Sequence, residues 1–192
     1  MGIVATGDEG LYCSVIIYDV TGVRRAMACA NQSVDDLARL LEWQPLDLVP
    51  EVSWEQVEQE FGVTFPEDYR RLVEVFGSGV FDSYLGITSP VHSAGTLGRF
   101  RHETRETLEL AAANGVSEPV DQWISWGSTG EAYSLFLLPE GEIAVCDDGF
   151  AEWERHPGPV AAFLIELLTG RLDSALLEFE VFDPPRFGPS AM

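Results

Sequence analysis

Lysine is absent from this 192-residue sequence, and all eleven basic residues are arginine. That excludes Schiff-base chemistry and the lysine of a phosphate-binding loop. Positive charge is scarce altogether: 32 acidic residues against 11 basic ones leave a net charge of −21. Phosphate backbones and anionic lipids are held by clustered cations, so neither nucleic acid nor a membrane surface suits this chain as a partner. Cysteine is limited to Cys13, Cys29 and Cys146, far apart and without C-x-x-C spacing. Such spacing reads as reduced core thiols rather than a disulfide framework. No apolar run approaches the ~20 residues needed to cross a bilayer. Asp8 and Glu9 precede the first apolar run, which is not the order of a secretory leader, so the reading is a cytoplasmic protein. Internal repeats and low-complexity segments are also missing.

Familiar catalytic patterns are missing too. Gly77-x-Gly79 and Gly127-x-x-Gly130 do not open a helix directly after a strand, so they read as turns rather than a dinucleotide fingerprint. Ser125 and Ser128 lack the G-x-S-x-G elbow. His92, His102 and His156 are dispersed, and no local pattern supplies the orienting partner a general base requires. Asp147-Asp148-Gly149 follows a strand and could hold Mg²⁺ given further oxygen ligands, but the same tripeptide is good turn chemistry.

What is present is an ordinary core and well-marked helices. Hydrophobic residues make up 46% of the chain, and a domain of this length buries roughly 70% of its unfolded surface. Ser53 can cap a first helix, with Gln56 completing a capping box. Trp54, Val57 and Phe61 share one stripe, and Gly62 supplies the left-handed stop. Pro66 suits the start of a second helix, with Glu67 and Asp68 at its positive end. Tyr69, Leu72, Val73 and Phe76 form its buried stripe, and Gly77 ends it. Upstream, Leu11 to Val20 and Val23 to Ala30 read as strands turning at Thr21-Gly22, followed by a short helix capped by Ser33. Downstream, a strand is expected over Val80 to Ile87, a mobile loop around Gly95 and Gly98, and a helix over Glu103 to Ala113. Short strands follow at Trp123–Trp126, Ala132–Leu138 and Glu142–Cys146, then a helix over Val160–Thr169. Closely spaced strands favour antiparallel pairing. The fold class is therefore α+β, a central, mostly antiparallel sheet flanked by helices. Residues 1–49 read as an N-terminal extension, 50–177 as the domain, and 178–192, rich in proline, as a loose tail.

Trp54, Glu58, Gly62, Phe65-Pro66, Asp68-Tyr69, Leu72 and Gly77-x-Gly79 together resemble the opening motif of the SUKH superfamily. That group includes a fungal cell-wall-assembly regulator and many bacterial immunity proteins. Ile124 to Gly130 is similar to its central strand-turn-strand, and Val160 to Leu168 to its closing helix. Pro157-Gly158-Pro159 departs from the family pattern just before that helix. The resemblance covers about Pro50 to Arg171. It implies a SUKH-like, non-enzymatic protein-binding module with no cofactor and no metal, an immunity protein covering a basic toxin domain with its acidic surface. Strand ends and turns should present Asp82, Trp126, Glu131, Asp147, Asp148 and Trp153 together as the contact residues. Two other functions stay open: a regulatory scaffold binding an endogenous protein, and a metal-dependent hydrolase using Asp147 and Asp148.

Overall fold

A computed structural model of the chain describes residues 16–18, 24–26, 33–45, 49–116, 120–130, 133–139 and 141–190. Its helical hairpin follows from local chemistry. In α2 (Trp54–Phe61), the Ser53 side chain accepts the Gln56 N–H at 3.2 Å, and Gly62 closes the helix at φ 68°. In α3 (Glu67–Phe76), Tyr69, Leu72, Val73, Val75 and Phe76 are buried, and Gly77 ends the helix. Glu58 binds the loop between them. Its Oε1 accepts the Phe65 N–H at 2.9 Å and pairs with the Arg70 guanidinium. The short helix α1 (Val34–Leu40) carries the expected Ser33 cap, and Leu37 is fully buried. Upstream, β1 (Ile16–Tyr18) and β2 (Arg24–Ala26) pair antiparallel; the turn expected at Thr21-Gly22 lies outside the described residues.

Two expectations between residues 80 and 113 need correction. The single strand expected over Val80 to Ile87 is a hairpin of β3 (Gly79–Phe81) and β4 (Leu85–Ile87). The turn is made by Asp82 and Ser83 at φ 47° and 56°. Aspartate tolerates this left-handed region better than most residues, so no glycine marks the turn. The loop expected around Gly95 and Gly98 is helical. Helix α4 (Ala94–Ala113) begins at a reciprocal Ser93–Thr96 capping box, which places both glycines in its opening turns.

The remaining elements are β5 (Ile124–Thr129), preceded by a single 3-10 turn at Val120–Gln122, β6 (Tyr133–Leu137), β7 (Glu142–Asp147), β8 (Trp153–Pro157), α5 (Val160–Leu168) and β9 (Phe187–Pro189). Seven strands form one sheet in the order β8-β7-β6-β5-β4-β3-β9, with every neighbour antiparallel. The fold is thus α+β, with helices flanking an antiparallel sheet. Side chains alternate between faces along each strand. Leu135, Leu137, Ile143 and Val145 join the main core with α1, α3 and α5. Phe136, Ala144 and Cys146 face a second cluster built with Trp123 and with Leu108 and Ala111 of α4.

Helix α5 is apolar nearly all round, as a helix packed into a core must be. Its N-cap is Pro159, which offers no side-chain acceptor, and the Val160 N–H donates instead to Asp68 Oδ2 at 2.5 Å.

Part of the segment expected as a loose tail joins the sheet as β9. Phe187 pairs opposite Phe81, and its ring stands 4.7 Å from that of Phe81 and 5.1 Å from Phe76. Phe187 is partly buried, so its contribution is a fraction of the about 1.5–3 kcal/mol that full burial of a phenylalanine gives. Gly79 makes room for it: a Cβ there would stand 2.2 Å from the Phe187 ring.

Candidate protein-binding face

The pairing register brings three connections to one end of the sheet. Leu85 lies opposite Thr129, and Tyr133 lies opposite Asp147. The β3–β4 turn, the Thr129 end of β5, the Tyr133 start of β6 and the β7–β8 turn therefore lie at the same end. Asp82 and Asp147 stand at this end, separated by three to four strand spacings, roughly 14–19 Å. Glu131 belongs to the β5–β6 connection and lies outside the described residues.

The β7–β8 turn is tightly built. Asp147 Oδ1 accepts the Glu152 N–H at 2.9 Å, and Asp147 O accepts the Phe150 N–H at 3.0 Å. Phe150, at φ 53°, turns its ring into the second core, 6.0 Å from Phe136. The half-buried Asp147 carboxylate thus shapes the turn, while Asp148 and Glu152 are exposed on it. Trp153 begins β8 and is 41% exposed. One side of its indole leans on Trp123, ring centroids 6.0 Å apart, and the Arg155 guanidinium sits 5.1 Å from its centroid. A large aromatic held by neighbours yet open to water is the arrangement interfaces use as an anchor.

Two residues expected on this face are internal instead. Trp126 is 1% exposed. The register shifts between Ser125 and Gly127, and the indole lies in the main core against Tyr69 (6.4 Å) and Phe163 (6.2 Å). Of the glycines taken for a turn, Gly127 lies within β5, while Gly130 directly follows the strand's end at Thr129. Gly127 keeps β4 close, because a Cβ there would meet the Gly86 carbonyl oxygen at 2.9 Å. Asp82 is only 9% exposed and fastens the chain. Its N–H donates to Arg186 O at 2.9 Å, and its Oδ1 accepts the Arg186 N–H at 2.6 Å. Among the described residues, its Oδ2 is buried without a partner. Burial raises its carboxyl above the usual range, against the opposing pull of the Arg186 hydrogen bond and charge.

The sequence reading missed the residues between α5 and β9. Phe179 packs on Tyr84 of the β3–β4 turn at 5.1 Å and on Phe182 at 6.5 Å. Burial raises the Tyr84 phenol, and the neighbouring Tyr133 and Glu178 raise it further. Tyr133 in turn lies opposite Asp147 across the β6–β7 ladder. The alternation Glu178-Phe179-Glu180-Val181-Phe182-Asp183 was the available signal; Pro184-Pro185 behind it made the stretch look unstructured.

Chemically this end can attract cations and offer aromatic contact. Among the described residues, no group of three or more histidine, cysteine, aspartate or glutamate side chains is placed to hold a metal ion. Nor is any helix among them long and apolar enough to cross a membrane. The chain matches no family model, no curated protein and no solved structure.

Proposed function

We propose that the chain is a non-enzymatic protein-binding module of SUKH type that works in the cytoplasm as an immunity protein, covering a basic toxin domain. The observation that carries this reading is Trp153, 41% exposed at the end of a turn fixed by Asp147 that also carries the exposed Asp148 and Glu152. An excess of 21 negative charges supports a cationic partner, because complementary fields speed encounter and can take association towards ~10⁸–10⁹ M⁻¹s⁻¹ at low salt. In this reading Asp148, Glu152 and Trp153 make the contacts, Asp147 shapes the turn, and Asp82 and Trp126 act from inside the fold. Glu131 remains a proposed contact from its place in the β5–β6 connection.

The test is calorimetry of the full chain with the purified product of the neighbouring gene, at low and at physiological salt. Tight binding at low salt, weakened at least about tenfold by Trp153→Ala, is the expected result. No binding at low salt overturns the immunity reading. A Mg²⁺ titration showing a stoichiometric site that Asp147→Ala abolishes would support a hydrolase instead.

A further inference from the structure

The segment joining α5 to β9 is fastened at both ends by carboxylates on the sheet. At the β8 end, Glu154 accepts the Ser174 hydroxyl proton and the Ala175 N–H (2.9 Å), and His156 Nε2 shares the same carboxylate at 2.9 Å. Leu176 and Leu177 are buried just beyond that clasp. At the β3 end, Asp82 and Arg186 exchange the two hydrogen bonds described above.

Between the clasps the chain faces water. Val181 and Phe182 are each 47% exposed, although Val181 rests on Gly170, where a Cβ would stand 2.7 Å from its Cγ2. Glu178, Glu180 and Asp183 are exposed among them. From Leu172 to Pro185 the sequence holds four acidic residues and no basic one. Among the described residues, the N–H groups of Phe179 to Phe182 donate to no backbone carbonyl. The segment therefore presents adjacent apolar side chains, interleaved carboxylates and free backbone donors, in a path whose ends are already fixed.

We propose that this strap is a preformed docking surface for an extended cationic protein segment, one in which arginine or lysine alternates with apolar side chains. The inference rests on the protein-binding reading above and names a surface and partner chemistry for it. Carboxylates at 178, 180 and 183 meet the cations, while Val181 and Phe182 bury against the intervening apolar groups. Free backbone groups allow strand-like pairing. Fixed ends reduce the ordering cost of binding. Tyr84 and Tyr133 continue the surface towards the Asp147 turn, so a folded basic partner can engage both.

The test is an NMR titration of the isotope-labelled full chain with a synthetic octapeptide of alternating arginine and leucine, at low and high salt. The expected result is saturable binding, with the largest shifts at Glu178–Asp183 and Tyr84. Val181→Ser with Phe182→Ser should weaken it at least about tenfold, and Phe182→Leu, which keeps apolar area, should restore most of it. Glu178→Gln with Glu180→Gln and Asp183→Asn should weaken binding at low salt and little at high salt. Backbone spectra establish that each variant is folded. Shifts centred on residues 147–153 and indifferent to the strap substitutions would overturn the strap while leaving the protein-binding reading standing. Absence of saturable binding at low salt would also overturn the strap. Failure of the neighbouring gene product to bind, by contrast, removes the immunity reading.

Discussion

Asp68 caps a helix that begins 92 residues later: its Oδ2 accepts the Val160 N–H at 2.5 Å, where Pro159 provides no side-chain acceptor. The Asp-Tyr pair in the helical hairpin is thereby explained by physics without appeal to a binding role. Tyr69 is buried in the main core, and the aspartate beside it satisfies an amide that α5 leaves open. Asp68→Ala should cost about 1–2 kcal/mol, a fall in melting temperature of roughly 2–8 °C for a chain of this size. Asp68→Asn, still an acceptor, should cost less. Calorimetric melting of the two variants checks this.

Asp82 differs in kind. Because burial raises its carboxyl in the folded protein, the protonated form is favoured by folding. Its contribution is full below the ordinary aspartate value and declines as pH rises through the raised one. Asp82→Asn keeps the acceptor for Arg186 and tolerates φ 47°. It should therefore be as stable as the parent at neutral pH, or more so. Asp82→Ala leaves the Arg186 amide without its partner and should cost about 1–2 kcal/mol. Urea titrations at pH 4 and pH 7 separate the two.

Glu154 has the opposite sign. Burial alone would raise its carboxyl, but hydrogen bonds from His156, Ser174 and Ala175 hold it below the usual range. Its contribution is present above the ordinary glutamate value and is lost as pH falls through the depressed one. Glu154→Gln should cost about 1–3 kcal/mol at pH 7 and flatten the acid limb of the stability curve. Amide exchange should quicken at residues 174–177 first.

Gly79→Ala places a methyl group where the Phe187 ring sits, at 2.2 Å. Overpacking of this kind costs about 1–3 kcal/mol. Strand β9 should yield before β3 does, so exchange at residues 187–189 should approach that of open chain while the helical hairpin stays protected.

The helical hairpin was legible in the sequence because its causes are local. Ser53, Gly62 and Gly77 mark its boundaries, and the apolar stripe repeats within a few residues. The other boundaries depended on partners distant in sequence or on unusual backbone. Asp82 and Ser83 turn the chain without glycine, and Gly95 and Gly98 sit in a helix because Ser93 and Thr96 cap it. The burial of Trp126 depends on a register shift against β6 and on rings from α3 and α5, none of which its neighbours in sequence announce. Of the expected contact face, the Asp147–Trp153 turn stands as a surface feature because its geometry is set within six or seven residues. The strap escaped notice because its fasteners, Glu154 in β8 and Asp82 in the β3–β4 turn, lie 20 and 104 residues before the groups they hold.

Trp43 and Phe187 meet edge to face at 5.0 Å, each also touching Phe76. A fragment trimmed to residues 50–177 would lose both rings, leaving a wet hollow beside α3 and β3. Trp43 and Phe187 therefore behave as two halves of a single plug, and chemical denaturation should remove them together with the sheet in one cooperative event.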